Sequence, residues 1–418
     1  MTTNKSEQVR CRRVFYIPGY DPIHPRRYRE LYRKESAEQA EVSGYKIEIE
    51  RKTTNSGPYG WRVSAMIEEQ AVTTNIDVLD WSGIVRTSMS NTIVATYLHL
   101  VRTAWIYIST GTLRRLMRLR KGPVIAALYP VGMMLLQLVL AILAGVAIHW
   151  GVGRAEAVVL PGGPVAAWIS DGVALAAGVL TGYWILRWFR AHDGMFLAYY
   201  LMQNFTYSAR LKGIIPPEIE AQMTEFGKLI ARALAEDVDE VLVVGHSSGA
   251  HMGVSILADL IRAGHVRADG PEIGFLTLGH VVPMVSFLPH AQRLRADLRY
   301  LSARDELAWV DVSAPGDGCA FALCDPVSVT GVAPEDKKWP LVFSAAFSKT
   351  LSPKRWRELR WRFFRLHFQY MCAFDRPGDY DYFLITAGPQ TLRARFSGRE
   401  ASKTRIDVPV SKYTSVAA

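Results

Sequence analysis

The sequence predicts an α/β fold in which a mostly parallel sheet, flanked by helices, is interrupted by a two-helix transmembrane hairpin. Two observations predict it. Short apolar strand patterns alternate with helix-length segments along most of the 418 residues, which is typical of a parallel sheet covered on both faces. Between residues 122 and 190, two long stretches are instead apolar and nearly free of charge. The predicted organisation is one half-domain over 1–121, the hairpin over 122–190 and a second half-domain over 191–418.

Composition places the chain among folded proteins. Apolar residues make up 49% and charged residues 21% of the sequence, which is too apolar for a disordered chain. The formal net charge of +10 indicates an acidic partner such as phospholipid headgroups, nucleic acid or an anionic substrate. The four cysteines have neither metal-ligand nor redox spacing and predict free thiols in a reducing compartment. The polar start MTTNKSEQVRCRR predicts no cleaved secretory signal.

Four strand patterns precede the hairpin. The first, VFYI (residues 14–17), ends in Pro-Gly, and the segments YKIEIERKTT and YGWRVSAMI form a strand pair around the turn NSGPYG. Their alternation of apolar and polar residues is typical of half-buried strands. TNIDVLDW is a further short buried strand. These segments predict the first edge of the sheet.

The hairpin is predicted from length and composition. Residues 122–153 contain no charged residue and exceed the roughly 20 residues that cross the hydrocarbon core as a helix. The second span is PVAAWISDGVALAAGVLTGYWILRWF. Its Asp171 is interpreted as the cap of a helix that starts at Gly172 near the interface, with a functional buried carboxylate as the alternative. Gly178 and Gly182 form a G-x-x-x-G pattern, which favours close packing of the two helices or pairing of two molecules.

The distribution of basic residues predicts the orientation of the hairpin. RRLMRLRK precedes the first span, and Arg187 and Arg190 follow the second, whereas the connecting loop holds one Arg and one Glu. Because cytoplasmic flanks carry the excess of Lys and Arg, both termini and the soluble part of the chain are expected in the cytoplasm. The lipid bilayer is therefore a predicted partner.

After the hairpin, PPEIEAQMTEFGKLIARALAED has helical periodicity, and DEVLVVG, EIGFLTLG and LAWVDVS read as strands. The first of these strands runs into GHSSG, a G-x-S-x-G pattern with Ser247 at its centre. The pentapeptide alone is weak evidence, but here a buried strand (residues 241–244) precedes it and a helix follows. Gly245 and Gly249 leave room for a tight turn that projects the hydroxyl from the carboxyl end of the sheet.

This strand–turn–helix resembles the nucleophile elbow of the α/β-hydrolase fold family. The resemblance covers most of the chain outside the hairpin in element order and is specific at the elbow. In that family the chain order is Ser, then an acid, then His, which implies Ser247 as the nucleophile. The same order implies Asp317, in the loop after LAWVDVS, as the acid, with Asp311 as the second choice and Asp325 as the third.

The base implied by this order is His367. It is the only histidine after His290, and His290 precedes Asp317 and would break the order. His246 and His251 flank the nucleophile, where a side chain rarely curls back. A serine hydroxyl needs such a base, and the base needs an orienting acid.

The resemblance also implies two backbone donors for the oxyanion. One is the N–H of Ser248, next to the nucleophile. The other is expected in FYIPGYDP, where Pro-Gly replaces the family's commoner His-Gly; the choice between Gly19 and Tyr20 stays open. An ordinary strand-ending turn is the alternative.

The segment SPKRWRELRWRFFRLHFQ bears on the substrate. As one helix it would place Trp356, Leu359, Phe363 and Leu366 on one face, with most of its basic residues elsewhere. Such a helix suits a membrane interface or an acidic partner, or equally a core-facing stripe with a solvated basic face.

Together these patterns predict a membrane-anchored serine hydrolase that cleaves amphipathic, lipid-like esters. Thioesterase, acyltransferase or peptidase activity would use the same residues. A non-catalytic membrane scaffold and a nucleic-acid binder are the alternatives from other classes, and no nucleic-acid motif supports the latter. No cofactor or metal is expected, because the sequence has no P-loop lysine, H-E-x-x-H, C-x-x-C or G-x-G-x-x-G after a strand. The oligomeric state stays open.

Overall fold

The computed structural model describes residues 8–52, 57–89, 92–159 and 163–417. Contacts between residues divide the chain into two compact units. The first unit comprises Met1–Thr87, Ile106–Val124 and Leu211–Ala418, and the second comprises Ser88–Trp105 and Ile125–Arg210. The second unit thus contains the predicted hairpin, except for its first residues, together with chain on either side of it.

An eight-stranded sheet forms the framework of the first unit, in the order β2-β3-β4-β1-β5-β6-β7-β8. The strands are β1 Cys11–Ile17, β2 Lys46–Arg51, β3 Gly60–Ile67, β4 Gln70–Val78, β5 Glu240–His246, β6 Glu272–Leu278, β7 Leu307–Ser313 and β8 Leu341–Ser344. The pairs β2–β3 and β3–β4 are antiparallel, and all other neighbours are parallel. The prediction of a mostly parallel α/β sheet is confirmed, although β8 was not predicted.

Helices and loops connect the strands. They are α1 Arg26–Ser43, α2 Ser82–Met89, α3 Ile93–Ser109, α4 Thr112–Leu119, α5 Lys121–Val159, α6 Pro164–Ala191, α7 Asp193–Phe196, α8 Ala198–Ala209, α9 Pro217–Ala233, α10 Gly249–Arg262, α11 Pro283–Ser286, α12 Gln292–Ser302, α13 Pro326–Thr330, α14 Phe347–Thr350, α15 Pro353–Leu359, α16 Phe363–His367, α17 Tyr382–Ala387 and α18 Leu392–Arg395, with a 3₁₀ turn at Gln369–Met371.

Burial explains why the central strands are uniformly apolar. The side chains of residues 241–244 in β5 are completely buried, because the strand lies between β1 and β6 and is covered on both faces. The predicted pair around NSGPYG is the antiparallel pair β2–β3, although residues 53–56 of its connection lie outside the described residues. The parallel strands β1, β5, β6, β7 and β8 have their carboxyl ends at one edge of the sheet, which is where ligands bind in open α/β sheets.

Two helices are long and apolar enough to cross a membrane. They cover Lys121–Ala155 and Ala167–Ala191, with mean hydropathy of 2.5 and 1.4. Within the second unit they approach closely at glycines: a Cβ added to Gly145 would lie 2.8 Å from the Gly178 oxygen, and one added to Gly182 would lie 3.1 Å from the Ala141 oxygen. The G-x-x-x-G pattern therefore packs the two helices of one chain against each other.

The structure corrects one detail of the hairpin. Asp171 does not cap a helix that starts at Gly172, because α6 already begins at Pro164. Proline is favoured in the first turn of a helix because the N–H that it lacks would have no partner there. With its start at Pro164, the helix already includes Asp171. Asp171 is an exposed residue within α6. The loop around residues 160–162 lies outside the described residues.

The basic–aromatic segment also differs from the single helix considered above. It forms α15 and α16, with a break at residues 360–362. Trp356 and Leu359 pack against the core and Leu366 is buried in it, whereas Phe363 is 47% exposed. The segment is therefore not one helix with these four side chains on a single core-facing stripe.

Candidate active site

Ser247 occupies a strained turn between β5 and α10. Its φ is +55°, a left-handed conformation that a residue with a Cβ rarely adopts. Two glycines allow the turn: a Cβ at Gly245 would lie 2.8 Å from the Ala250 Cα, and one at Gly249 would overlap the carbonyl oxygen of Ile17. The Ser247 N–H donates to the Leu278 carbonyl at 3.0 Å, which ties the turn to the end of β6.

His367 and Asp317 form a buried hydrogen-bonded pair. His367 Nδ1 lies 2.7 Å from Asp317 Oδ2, and the two residues are 6% and 2% exposed. Because a carboxylate only accepts, Nδ1 carries the proton and Nε2 is left as the basic nitrogen of the neutral ring. This is the arrangement that a general base with an orienting acid requires.

Two further donors hold the Asp317 carboxylate. The Tyr370 hydroxyl donates to Oδ2 at 3.0 Å, and the Cys319 N–H donates to Oδ1 at 2.8 Å. Burial and the charge of Asp317 raise the pKa of Tyr370 well above its ordinary value, so the phenol keeps its proton and remains a donor. The Ala314 N–H donates to the same hydroxyl at 3.0 Å, which fixes its direction.

The other two predicted acids have different partners. Asp311 is buried in β7 and accepts from the Thr277 hydroxyl at 2.6 Å, and burial raises its pKa. Asp325 accepts from the first backbone N–H groups of α13 and pairs with Lys337 at 2.7 Å. Of the three acids, Asp317 is the one that the structure brings to His367.

The end of β6 links Ser247 to the His–Asp pair. Leu278 accepts from the Ser247 N–H, and the next residue, Gly279, has φ +52°. A Cβ at Gly279 would lie 3.1 Å from His367 Cε1 and 3.2 Å from Asp317 Oδ2. The closest atom would be Cε2 of the Tyr370 ring at 2.7 Å. Glycine is therefore favoured at this position, both by the positive φ and because a side chain would force the Tyr370 ring to shift.

His246 packs against His367. Their ring centroids are 4.7 Å apart, and His246 Nε2 donates to the His367 carbonyl oxygen at 3.0 Å. Burial, reinforced by His367, lowers the pKa of His246 well below its ordinary value. His246 is thus a neutral packing partner of His367.

The predicted oxyanion loop follows β1 and lies beside Ser247. A Cβ at Gly19 would lie 2.9 Å from Ser247 Cβ and 3.4 Å from its Oγ, so glycine permits this approach. The Trp81 indole donates to the Pro18 carbonyl at 2.9 Å, and the Tyr20 ring packs edge-on against Trp81. Ser248, the other predicted donor, is buried directly after Ser247.

The same side chains raise the question of a metal site. One ligand atom from each of Asp317, Cys319 and His367 lies within 4.8 Å of the others. However, Asp317 and His367 already satisfy each other, and burial and the charge of Asp317 raise the pKa of the Cys319 thiol well above its ordinary value. A raised pKa disfavours the thiolate that binds metals. The donor set therefore fits an acid–base pair better than a metal centre.

Sequence reasoning missed Tyr370, Cys319 and Gly279 as parts of the site. Tyr370 and Gly279 are defined by contacts with residues far away in the chain. Cys319 lies two residues from Asp317 and contributes only its backbone N–H, which every residue type except proline has and which therefore gives no sequence signal. The comparisons with known proteins add nothing to this geometry: no family model, no curated protein and no solved structure matches the chain.

Proposed function

We propose that the chain is a membrane-anchored serine hydrolase of α/β-hydrolase-like fold that cleaves carboxylic esters. The observation that carries this proposal is the strained Ser247 turn at the sheet edge where His367 and Asp317 form a buried 2.7 Å pair. Four segments contribute to that edge in the order expected from the resemblance: Gly19 follows β1, Ser247 follows β5, Asp317 follows β7, and His367, the last residue of α16, follows β8. A set of loops with only a structural role would not require both a strained serine turn and a buried His–Asp pair at the same edge.

In the proposed mechanism Ser247 Oγ attacks the acyl carbon while His367 Nε2 takes its proton. Asp317 stabilises the imidazolium that forms. Backbone N–H groups of Ser248 and of the Gly19–Tyr20 loop donate to the oxyanion. His367 then gives the proton to the leaving alcohol, and a water molecule activated by the same nitrogen hydrolyses the acyl-enzyme.

An amphipathic ester is the proposed substrate class. Two apolar helices support attachment to a bilayer, and the basic flanks of the hairpin support a cytoplasmic location of the first unit and both termini. A hydrolase held at a membrane surface meets substrates with apolar chains and polar heads. Thioester cleavage or acyl transfer would use the same groups with a different leaving group or acceptor.

A fluorophosphonate probe tests the chemistry directly, because it reacts with activated serines. Detergent-solubilised wild type is expected to take label, and Ser247→Ala to take none. His367→Ala and Asp317→Ala should be labelled more slowly, by about 10²-fold or more. Ser255→Ala is the matched control: it changes a buried serine of α10, eight residues after Ser247, and should label like wild type.

The alternative is a membrane scaffold that uses the sheet for binding. It predicts that folded wild-type protein takes no label under any condition, and that the Ser247→Ala and Ser255→Ala variants are indistinguishable. That result would contradict the hydrolase proposal.

A further inference from the structure

The strongest feature outside the candidate site is the basic–aromatic segment, residues 353–365. Two of its aromatic side chains face solvent: Trp361 is 71% exposed and Phe363 is 47% exposed. Exposed large aromatic side chains next to each other are uncommon on a soluble surface unless they serve a contact. The two rings meet edge-to-face with centroids 6.5 Å apart, and they form one small apolar patch.

The same segment carries exposed cations that form no ion pair. Within the described residues none of the following exposed side chains forms an ion pair: Lys354, Arg357, Arg360, Arg362 and Arg365. Arg355 differs, because it is bound to Glu38 at 2.6 Å and to Glu35 at 3.4 Å. Arg355 therefore attaches the segment to α1, while no carboxylate of the described residues pairs with the other five cations. One of the five, Arg360, lies over the Trp361 ring, 5.5 Å from its centroid. Glu358 is the single acidic residue of the segment.

The segment packs directly on the loop that carries Asp317. A Cβ at Gly316 would lie 2.6 Å from the Trp356 ring, and one at Gly318 would lie 3.2 Å from the Phe363 ring. The Trp356 ring thus covers the residue before Asp317, and the Phe363 ring covers the residue after it. Phe363 also belongs to the exposed patch, so a ligand bound to the patch is separated from the Asp317 loop by the Phe363 side chain alone.

The same loop also contacts the start of the first apolar helix. A Cβ at Gly122 would lie 3.2 Å from the Gly318 Cα, and the Arg120 guanidinium donates to the Ala322 carbonyl at 2.7 Å. The chain passes from the first unit into the apolar part of α5 at Val124. If α5 crosses a bilayer, the residues just before it lie at the headgroup level, together with the loop that they contact.

We propose that the basic–aromatic segment binds the surface of a membrane that contains anionic phospholipids. Arginine and lysine are attracted to anionic headgroups, and Trp and Phe beside them insert at the boundary between headgroups and acyl chains. A nucleic acid or an acidic protein would match the charge, but the contact with the residues entering α5 favours the bilayer. The inference rests on the membrane anchoring in the proposed function and is independent of its chemistry.

Hydrogen–deuterium exchange of the full-length protein tests this binding. The protein is reconstituted in bilayers of phosphatidylcholine alone and of phosphatidylcholine with phosphatidylglycerol, and peptides covering residues 353–367 are followed. Exchange should be slower in the anionic bilayer, and the difference should shrink at high salt. Arg362→Gln with Arg365→Gln should reduce the protection, by about fivefold for each charge removed.

Matched variants separate this effect from changes in overall charge. Lys46→Gln with Arg51→Gln removes two exposed cations from β2, and Val408→Ala shortens a side chain that is 64% exposed. Both should keep the protection, whereas Trp361→Ala should lose part of it. Equal exchange in the two bilayers, or equal behaviour of test and control variants, would overturn the proposal.

Fluorophosphonate labelling of the same samples keeps the two proposals distinct. Protein that labels at Ser247 but shows no lipid-dependent protection retains the hydrolase proposal and refutes the lipid surface. Protein that is protected by anionic lipid but is never labelled retains the lipid-surface proposal and refutes the hydrolase proposal.

Discussion

The hydrogen bonds around Asp317 show how single residues define this site. Its carboxylate receives donors from His367, Tyr370 and the Cys319 backbone, so a buried charge is compensated by three partners. Buried carboxylates are stable only with such compensation. Tyr370 shares Oδ2 with His367, and it therefore contributes to the direction in which the carboxylate faces the imidazole.

Replacing Tyr370 with Phe should slow the reaction while the fold is retained. The variant removes one hydrogen bond to a charged group, which is worth about 1.5–3 kcal/mol, and we expect the second-order labelling rate to fall by about 10- to 100-fold. The measurement is the rate of fluorophosphonate labelling across pH 5 to 9. Because Tyr370 acts by positioning Asp317, the pH at which the rate is half-maximal should also change.

Tyr107→Phe is the control for this prediction. Tyr107 is buried like Tyr370, but its hydroxyl donates to the Met284 carbonyl at 3.0 Å and not to Asp317. Both variants lose one buried hydroxyl, so both should lose some stability. A labelling rate that falls equally in the two variants would mean that Tyr370 has only a structural role.

At this scale, what the sequence could predict depended on local signals. Ser247 lies in a pentapeptide between a strand and a helix, and the chain order then indicated Asp317 and His367. The structure brings these three residues to one edge of the sheet. Tyr370 and Gly279 carry no such signal. Tyr370 contacts Asp317, about 50 residues away in the chain, and Gly279 contacts His367, about 90 residues away.

At the scale of elements, the elbow depends on how closely α10 approaches β1. The helix begins at Gly249, where a Cβ would meet the carbonyl oxygens of Ile17 and Pro18. Further along, a Cβ at Gly253 would lie 2.6 Å from the Phe275 ring. Backbone atoms cannot move aside as a side chain can. The contact of Gly249 with the backbone is therefore more restrictive than the contact of Gly253 with the Phe275 ring.

Gly249→Ala should therefore destabilise the protein strongly. Overpacking of this kind costs about 1–3 kcal/mol, and the midpoint of thermal unfolding, followed by circular dichroism in detergent, should fall. Gly227→Ala in α9 is the matched control: a Cβ there meets nothing within 4 Å, and alanine favours helices by up to about 1 kcal/mol. Equal midpoints for the two variants would contradict this account of the elbow.

Element prediction failed where tertiary packing outweighed the local pattern. The strand β8 has four residues, too few for a periodic signal, and it exists because it pairs with β7. Residues 353–367 fit one amphipathic helix by spacing, but the chain breaks at 360–362 to place both Trp356 and Leu366 against the core. The strands β5, β6 and β7, and residues 14–17 of β1, were predictable because burial on both faces favours largely apolar runs.

At the scale of the whole molecule, one unit is inserted into the chain of another. The second unit has a small core of its own, in which Leu100 and Met134 pack with Ala198, Tyr199 and Met202. The sequence indicated the insertion through hydropathy. It gave no sign that residues 88–105 and 192–210 group with the apolar helices, because those segments resemble ordinary amphipathic helices.

The orientation of the hairpin is the last prediction. Basic residues lie before α5 and at the end of α6, so both termini should face the cytoplasm and the connection near residue 160 should face the opposite side. In a bacterial host, a fluorescent protein fused to the C-terminus should fluoresce, since it matures in the cytoplasm. Alkaline phosphatase, which is active only outside the cytoplasm, should be active when fused after residue 160 and inactive when fused after residue 192. The opposite pattern of the two phosphatase fusions would contradict the cytoplasmic site, and inactivity of both would mean that α5 does not cross the membrane.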